Sequence, residues 1–283
     1  MRMQVPESLI DQALAYVDGR AQPATPRNAA TVVLLRDSVS GPEAYLLRRQ
    51  ASMAFAAGMA VFPGGGVDER DFDADESSWI GPSAATWAAA LAAPEDLAKA
   101  LVCAAVRETF EESGVLLAGE HADDVVADTT GADWEADRAA LERRDLAFSD
   151  FLTRRGLRLR TDLLGVWSGW LTPVFEPRRY RTWFFVAALP AGQRTRDVST
   201  ESSDVQWLPL MDAVAATESN DLLMLPPTYL TCLEMGQHPS VAEVMKAAEG
   251  RVVEMFTPQV EEGPEGTVLS IPNSLDALLR TRT

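Results

Sequence analysis

The segment PEDLAKALVCAAVRETFEESG, residues 94–114, restricts the fold more than any other stretch of this chain. Pro94 suits a first helical turn, Glu95 and Asp96 follow it, and Gly114 stands where the chain must turn out, so the spacing predicts one long helix. On a wheel of ~100° per residue with Leu97 at zero, Val102, Val106 and Phe110 fall near about 140°, 180° and 220° and form a buried stripe. Leu101, Glu108, Glu111 and Glu112 fall near about 40°, 20°, 320° and 60°, so the three glutamates continue an apolar side across from that stripe. The acids therefore face something other than open water.

Their placement is costly. Carboxylates at i and i+4 oppose each other by ~0.2–0.5 kcal/mol, and in a last turn each loses up to about 1 kcal/mol against the helix dipole. Arg107 offsets part of that. A solvated acidic face would leave the cost standing, whereas a hard divalent cation, Mg²⁺ or Mn²⁺, removes it through oxygen ligands. Upstream, GMAVFPGGGVDERD holds three consecutive glycines, Gly64 to Gly66, which read as a loop open to close backbone approach rather than as a regular element. A cation held by carboxylates beside such a loop suits attack of water on a phosphoanhydride. The metal neutralises phosphate oxygens and lowers the pKa of a bound water, loop N–H groups donate to the anion, and a nearby glutamate takes the proton.

Around this helix, ATVVLL (30–35) and EAYLLR (43–48) read as strands joined by the turn RDSVSGP. The stretch from Asp68 to Ala93, acidic and then alanine-rich without a firm period, reads as an insertion. Helical stretches lie within WEADRAALERRDLAFSDFLTRRG, in LMDAVAAT, in PPTYLTCLEMG and in VAEVMKAAEG. DLLGVWSGWLT, RTWFFVAALP and VQWLPL read as strands, the middle one apolar enough to be central. The tail RVVEMFTPQVEEGPEGTVLSI suggests two strands around GPEG. This order predicts an α+β or mixed three-layer domain. It divides into residues 1–27 (a helix over Ser8–Val17 and a linker), 28–215 (the main domain) and 216–283 (a helical extension and hairpin packed on it).

Charge narrows the partners. With 42 acidic against 25 basic residues the formal net charge is −17, which opposes long nucleic acid and anionic membrane surfaces. No uncharged run approaches the ~20 residues of a membrane span, and the opening residues lack the apolar run of a signal peptide. Cys103 and Cys232, without zinc spacing, read as two buried thiols of a reducing compartment. The cytoplasm is the expected address, and the closing RTRT is no peroxisomal signal.

PGG (63–65) followed by RETFEESGV (107–115) resembles the Nudix box, whose second half runs Arg-Glu, a hydrophobic position, any residue, Glu-Glu, any residue, Gly and an aliphatic residue. Thr109 stands at the hydrophobic position. The resemblance implies an α/β/α sandwich of mixed sheet, with additional helices and a C-terminal extension, and Mg²⁺- or Mn²⁺-dependent hydrolysis of a nucleoside diphosphate linked to another moiety. It implies Glu108, Glu111 and Glu112 as metal ligands, Glu111 also as catalytic, Arg107 as their orienting partner, and Gly64 and Gly65 as the substrate-binding loop. Two departures stand out. Lys99 occupies the place, eight residues before the arginine, where the family pattern has a glutamate, and about thirty residues, Glu69 to Ala98, separate the glycines from the rest. Asp68, Glu95 or Asp96 would have to replace the missing acid.

A box interrupted in this way resembles the Nudix branch of the peroxisomal coenzyme A diphosphatases. LLRRQASMAFAAGMAVFPGG shares the Leu-Leu start and the Gly-x-x-x-Phe-Pro-Gly-Gly end of their signature, with Phe55 about where that signature has an arginine. Coenzyme A or an acyl derivative is the leading substrate this implies. ADP-ribose, NADH and dinucleotides are rivals, as is a catalytically silent ligand-binding protein of the same fold, and a homodimer stays open. Outside the box, Arg178, Arg179 and Arg181 precede the most apolar strand and suit substrate phosphates, or serve solubility and an ion pair with Glu176. Glu201 lies on a loop before a strand, the kind of place from which Nudix proteins take a further catalytic glutamate, or is an exposed loop acid.

Overall fold

The computed structural model describes residues 22–53, 56–263 and 266–282, together with Tyr16. The helix expected over Ser8–Val17 and the position of Phe55 lie outside the described residues. Strand β1 (Arg27–Ser38) and β2 (Gly41–Arg49) form a hairpin joined by Val39 and Ser40 alone. The turn is tighter than RDSVSGP implied, because Arg36 and Asp37 pair in register with Glu43 and Pro42 and an Arg36–Glu43 ion pair closes across the strands.

Two short strands follow, β3 (Ala60–Val61) on β2 and β4 (Gly64–Gly66) on β1. The three glycines are thus a strand and not a free loop. Without side chains they can lie flat between β1 and a helix: a Cβ on Gly64 would sit 2.5 Å from the Ala30 carbonyl oxygen and from Thr31 Oγ1. The segment expected as an insertion holds a 3₁₀ turn (Glu69–Asp73), β5 (Trp79–Ile80) and helix α1 (Ala84–Leu91), whose Ser83 side chain accepts from the Thr86 N–H as an N-cap. The long helix α2 (Glu95–Ser113) follows at once. Then come β6 (Ala118–Gly119), α3 (Ala132–Glu142), α4 (Phe148–Arg155), β7 (Arg158–Arg160), β8 (Leu164–Leu171), β9 (Tyr180–Ala188), β10 (Ser202–Pro209), α5 (Leu210–Glu218), α6 (Pro226–Met235) and α7 (Val241–Ala248). The chain closes with β11 (Met255–Phe256), the hairpin β12 (Val260–Gly263) and β13 (Gly266–Leu269), and α8 (Asn273–Arg280).

The main sheet runs β10-β2-β1-β9-β8-β11, with β1–β9 and β8–β11 parallel and the remaining pairs of that path antiparallel. Alternation along its two central strands builds two cores. Ala30, Val32 and Leu34 of β1 with Trp183, Phe185 and Ala187 of β9 face α1, α2 and α4. Val33 and Leu35 with Phe184 and Val186 face α5, α6, α7 and α8. The result is the expected α/β/α sandwich with a mixed sheet. Helix α2 departs from the expected single stripe, since Leu101 through Val106 are all buried. The insertion causes this: Trp87 and Leu91 of α1 join the same core as α2, so residues on its outer side lie under α1. Cys103 and Cys232 are buried and form no disulfide, and no described helix is long and apolar enough to cross a membrane.

Candidate active site

Helix α2 carries its acids into an open hollow lined by Asp68, Arg107, Glu108, Glu111, Glu112 and Glu201, with Arg70 and Arg144 among its other walls. Arg107 sits at its base and is 9 % exposed. Nε donates to Asp71 Oδ1 at 3.0 Å and Nη2 to Asp71 Oδ2 at 2.9 Å and to the Gly66 carbonyl at 3.0 Å. Nη1 donates to Glu108 Oε1 at 2.7 Å and Glu111 Oε1 at 3.3 Å. All five N–H groups of the guanidinium are therefore used. Glu112 turns the other way and accepts the Gly64 N–H at 2.7 Å. Gly65 passes over Glu108 so closely that a Cβ there would lie 2.6 Å from the carboxylate. Gly64 and Gly65 thus contact the acids themselves.

The dipole cost is met from outside the helix. Gly114 closes α2 in the left-handed conformation at φ 73°. Arg138 of α3, buried, donates to the Glu111 carbonyl at 2.7 Å, and the Arg196 N–H donates to the Ser113 carbonyl at 2.8 Å. What remains is charge against charge. Burial, with Glu108 behind it, pushes Glu111 up to about 8, and burial also raises Glu108 and Glu112. One arginine does not neutralise this many carboxylates. The donor set is entirely hard oxygen, which suits Mg²⁺ or Mn²⁺. As the side chains stand, no three of His, Cys, Asp and Glu among the described residues gather round one point, because Glu108 and Glu111 turn to Arg107 and Glu112 to the glycine strand.

Glu201 lies in the turn before β10, on the wall facing α2, half exposed and 3.2 Å from Arg49 Nη2. The arginines expected to seat phosphates stand elsewhere. Arg179 is buried and spends its guanidinium on the carbonyls of Thr172 and Ala24. Arg181 lines a second hollow with Leu97, Trp183 and Met255, at the opposite end of α2 from the acids, and Arg178 does not line the acidic hollow either. Their strand enters the sheet beside the N-terminal end of β1, where Asn28 pairs with Arg181, and this fixes the displacement.

Asp71 is the residue that sequence reasoning missed. It is 2 % exposed and takes two of the five Arg107 bonds. Glu95 and Asp96 lie exposed at the far end of α2 and do not replace the missing acid. Counting forward from the glycines, rather than back from the arginine, brings Asp71 into view.

A model of the NUDT19 Nudix domain matches residues 83–235, more than half of the chain. The chain belongs to the Nudix family. A Nudix hydrolase from Alicyclobacillus acidocaldarius has a similar structure, with a TM-score of 0.69 at 27 % identity over 79 % of this chain and 96 % of that one. The acyl-coenzyme A diphosphatase NUDT19 of Xenopus laevis is 24 % identical over 84 % of this chain and 72 % of its own length. Its namesake in Homo sapiens is 28 % identical over 74 % of this chain and 64 % of its own length. The protein is a Nudix hydrolase, of a family whose members work with divalent metals.

In this Nudix hydrolase Gly65→Ala should separate activity from stability. Gly65 needs no left-handed φ and the atom in the way is the end of a flexible side chain. Glu108 must swing aside, and kcat/KM with Mg²⁺ should fall about tenfold or more, while the melt shifts by less than about 1 kcal/mol. Wild-type activity would show that Glu108 is not needed where it stands.

Proposed function

We propose that this chain is a divalent-metal-dependent diphosphatase that cleaves the pyrophosphate bond of coenzyme A or an acyl-coenzyme A. The observation that carries it is the placement of four carboxylates, Glu108, Glu111, Glu112 and Glu201, around one hollow above an arginine whose donors are all taken. Glu108, Glu111 and Glu112 would hold the cation, and residues 28–215 would form the catalytic unit. When bound, Mg²⁺ or Mn²⁺ supplies charge neutralisation at the phosphate oxygens and an acidified water. The protein does the positioning. Arg107 and Asp71 fix where Glu108 and Glu111 stand, the Gly64 N–H fixes Glu112, and Glu201, the most accessible of the four, takes a proton from water entering from the open side. The names of the NUDT19 relatives support the substrate class.

A product-resolved assay with Mg²⁺ or Mn²⁺ on coenzyme A, acyl-coenzyme A, ADP-ribose, NADH and diadenosine polyphosphates tests this. Release of 3′,5′-ADP and a phosphopantetheine is the expected result. Faster turnover of ADP-ribose, NADH or a dinucleotide would move the substrate, and no turnover of any would move the protein to a silent binder.

The carboxylates also link metal to pH. In the fold Glu111 is raised to about 8 from an ordinary 4.5, so the folded protein keeps a proton that the unfolded chain has released. Its contribution is intact below about pH 4.5 and drains away as pH climbs to about 8. Metal-free protein should therefore melt lower at pH 8 than at pH 5, and millimolar Mg²⁺ should restore several degrees at pH 8 and little at pH 5. A melting temperature indifferent to Mg²⁺ at pH 8 would take the cation off these residues.

A further inference from the structure

The acidic hollow must admit a substrate that is itself anionic, and its base offers no free donor, since Arg107 is saturated. Arg49, behind Glu201, is paired with it. Positive charge is instead concentrated at one side of the mouth. Asp68 accepts from Arg70 Nε at 3.1 Å and Nη2 at 3.2 Å, and Arg144 Nε stands 3.6 Å from the same carboxylate. Arg70 Nη1 reaches on to the Arg144 carbonyl at 3.0 Å. Two guanidiniums on one carboxylate leave a net positive charge there. The other acids nearby are already paired: Glu142 with Arg138 and with the hydroxyl and N–H of Thr200, Asp71 with Arg107, and Asp145 with Arg143. Asp68 and Arg70 follow directly on the glycine strand, and Arg144 comes from the turn after α3.

Arg144 has the donors to spare. Its side chain is 76 % exposed and its contact with Asp68 is longer than a hydrogen bond. Its backbone is also unusual for an arginine, lying in the left-handed region at φ 61°, where a turn would ordinarily take Gly or Asn. The strained turn sets the residue 144 carbonyl on Arg70 and the side chain on the hollow.

We propose that Arg144, braced by Arg70, seats a phosphate monoester that the substrate carries apart from the scissile diphosphate, on its nucleoside half. This rests on the coenzyme A reading, since coenzyme A bears such a phosphate on its ribose and ADP-ribose does not. A dianionic monoester is the group a guanidinium fork binds best.

Calorimetry with Mg²⁺ tests it, using adenosine 3′,5′-bisphosphate and AMP as probes on the full chain and on Arg144→Gly. Glycine relaxes at φ 61°, so this variant should melt no lower than the wild type. The wild type should bind the bisphosphate about tenfold more tightly than AMP, and Arg144→Gly should bring that ratio close to one. A wild type without the preference, or a preference that survives in Arg144→Gly, overturns the seat. Coenzyme A turnover measured in parallel keeps the two readings apart. An Arg144-dependent preference without cleavage of coenzyme A retains the seat and removes the substrate, while cleavage without the preference does the reverse.

Discussion

Glu112→Gln yields a folded protein whose turnover falls by at least about a hundredfold. The side chain is 9 % exposed, and its one hydrogen bond among the described residues is accepted from the Gly64 N–H. Glutamine keeps an acceptor oxygen at the same reach, so the glycine strand stays tied to α2. It also removes a like charge from Glu108, whose field already raises the Glu112 carboxyl. Stability should hold or rise slightly, and activity should disappear with the anionic ligand. Steady-state kinetics with saturating Mg²⁺ beside a thermal melt reads both. Activity at the wild-type level with an unchanged metal requirement would falsify the place of Glu112 among the ligands.

Arg107→Met should instead cost the fold. Methionine fills much of the space but strands Asp71, Glu108 and Glu111 around a site with no counter-ion, and Asp71 is 2 % exposed. Removing one member of a buried ionic cluster costs about 3–5 kcal/mol, which in a chain of this size lowers the melting temperature by roughly 10 °C. Arg107→Lys keeps the charge without the five-donor fork and should fall between the two. A methionine variant melting within about 2 °C of the wild type would show that the acids shed their charge at little cost, and would leave Arg107 without its organising role.

Local pattern carried the sheet and most of the helices. β1 and β9 were legible because apolar side chains on both faces of a central strand leave a run of Val, Leu and Phe that little else explains. The acids of α2 were legible because their cost has no local remedy. The remedies themselves were not: Arg138 and Arg196 reach the end of α2 from the segment after β6 and from the approach to β10, and no spacing rule connects them to it. The close approach at Gly64 and Gly65 was legible, but the strand was not: glycine signals freedom in isolation, whereas at these two positions it marks a place too narrow for a side chain. That Arg178, Arg179 and Arg181 stand away from the acidic hollow was hidden for a similar reason. Their charge was visible, but the end of α2 they would face depends on the parallel register of β9 with β1.

The stretch between the glycine strand and α2, which interrupts the motif in sequence, is continuous with it in space. It supplies Asp71 to Arg107, packs the Trp87 ring at a tilt against Phe185, and gives the Leu91 carbonyl to the Trp183 indole and the Ala90 carbonyl to Val253. Excising it to make a minimal enzyme would unroof the central strands and cut the strap that holds the tail at β11. Truncation should therefore begin at the termini and leave residues 69–93 whole.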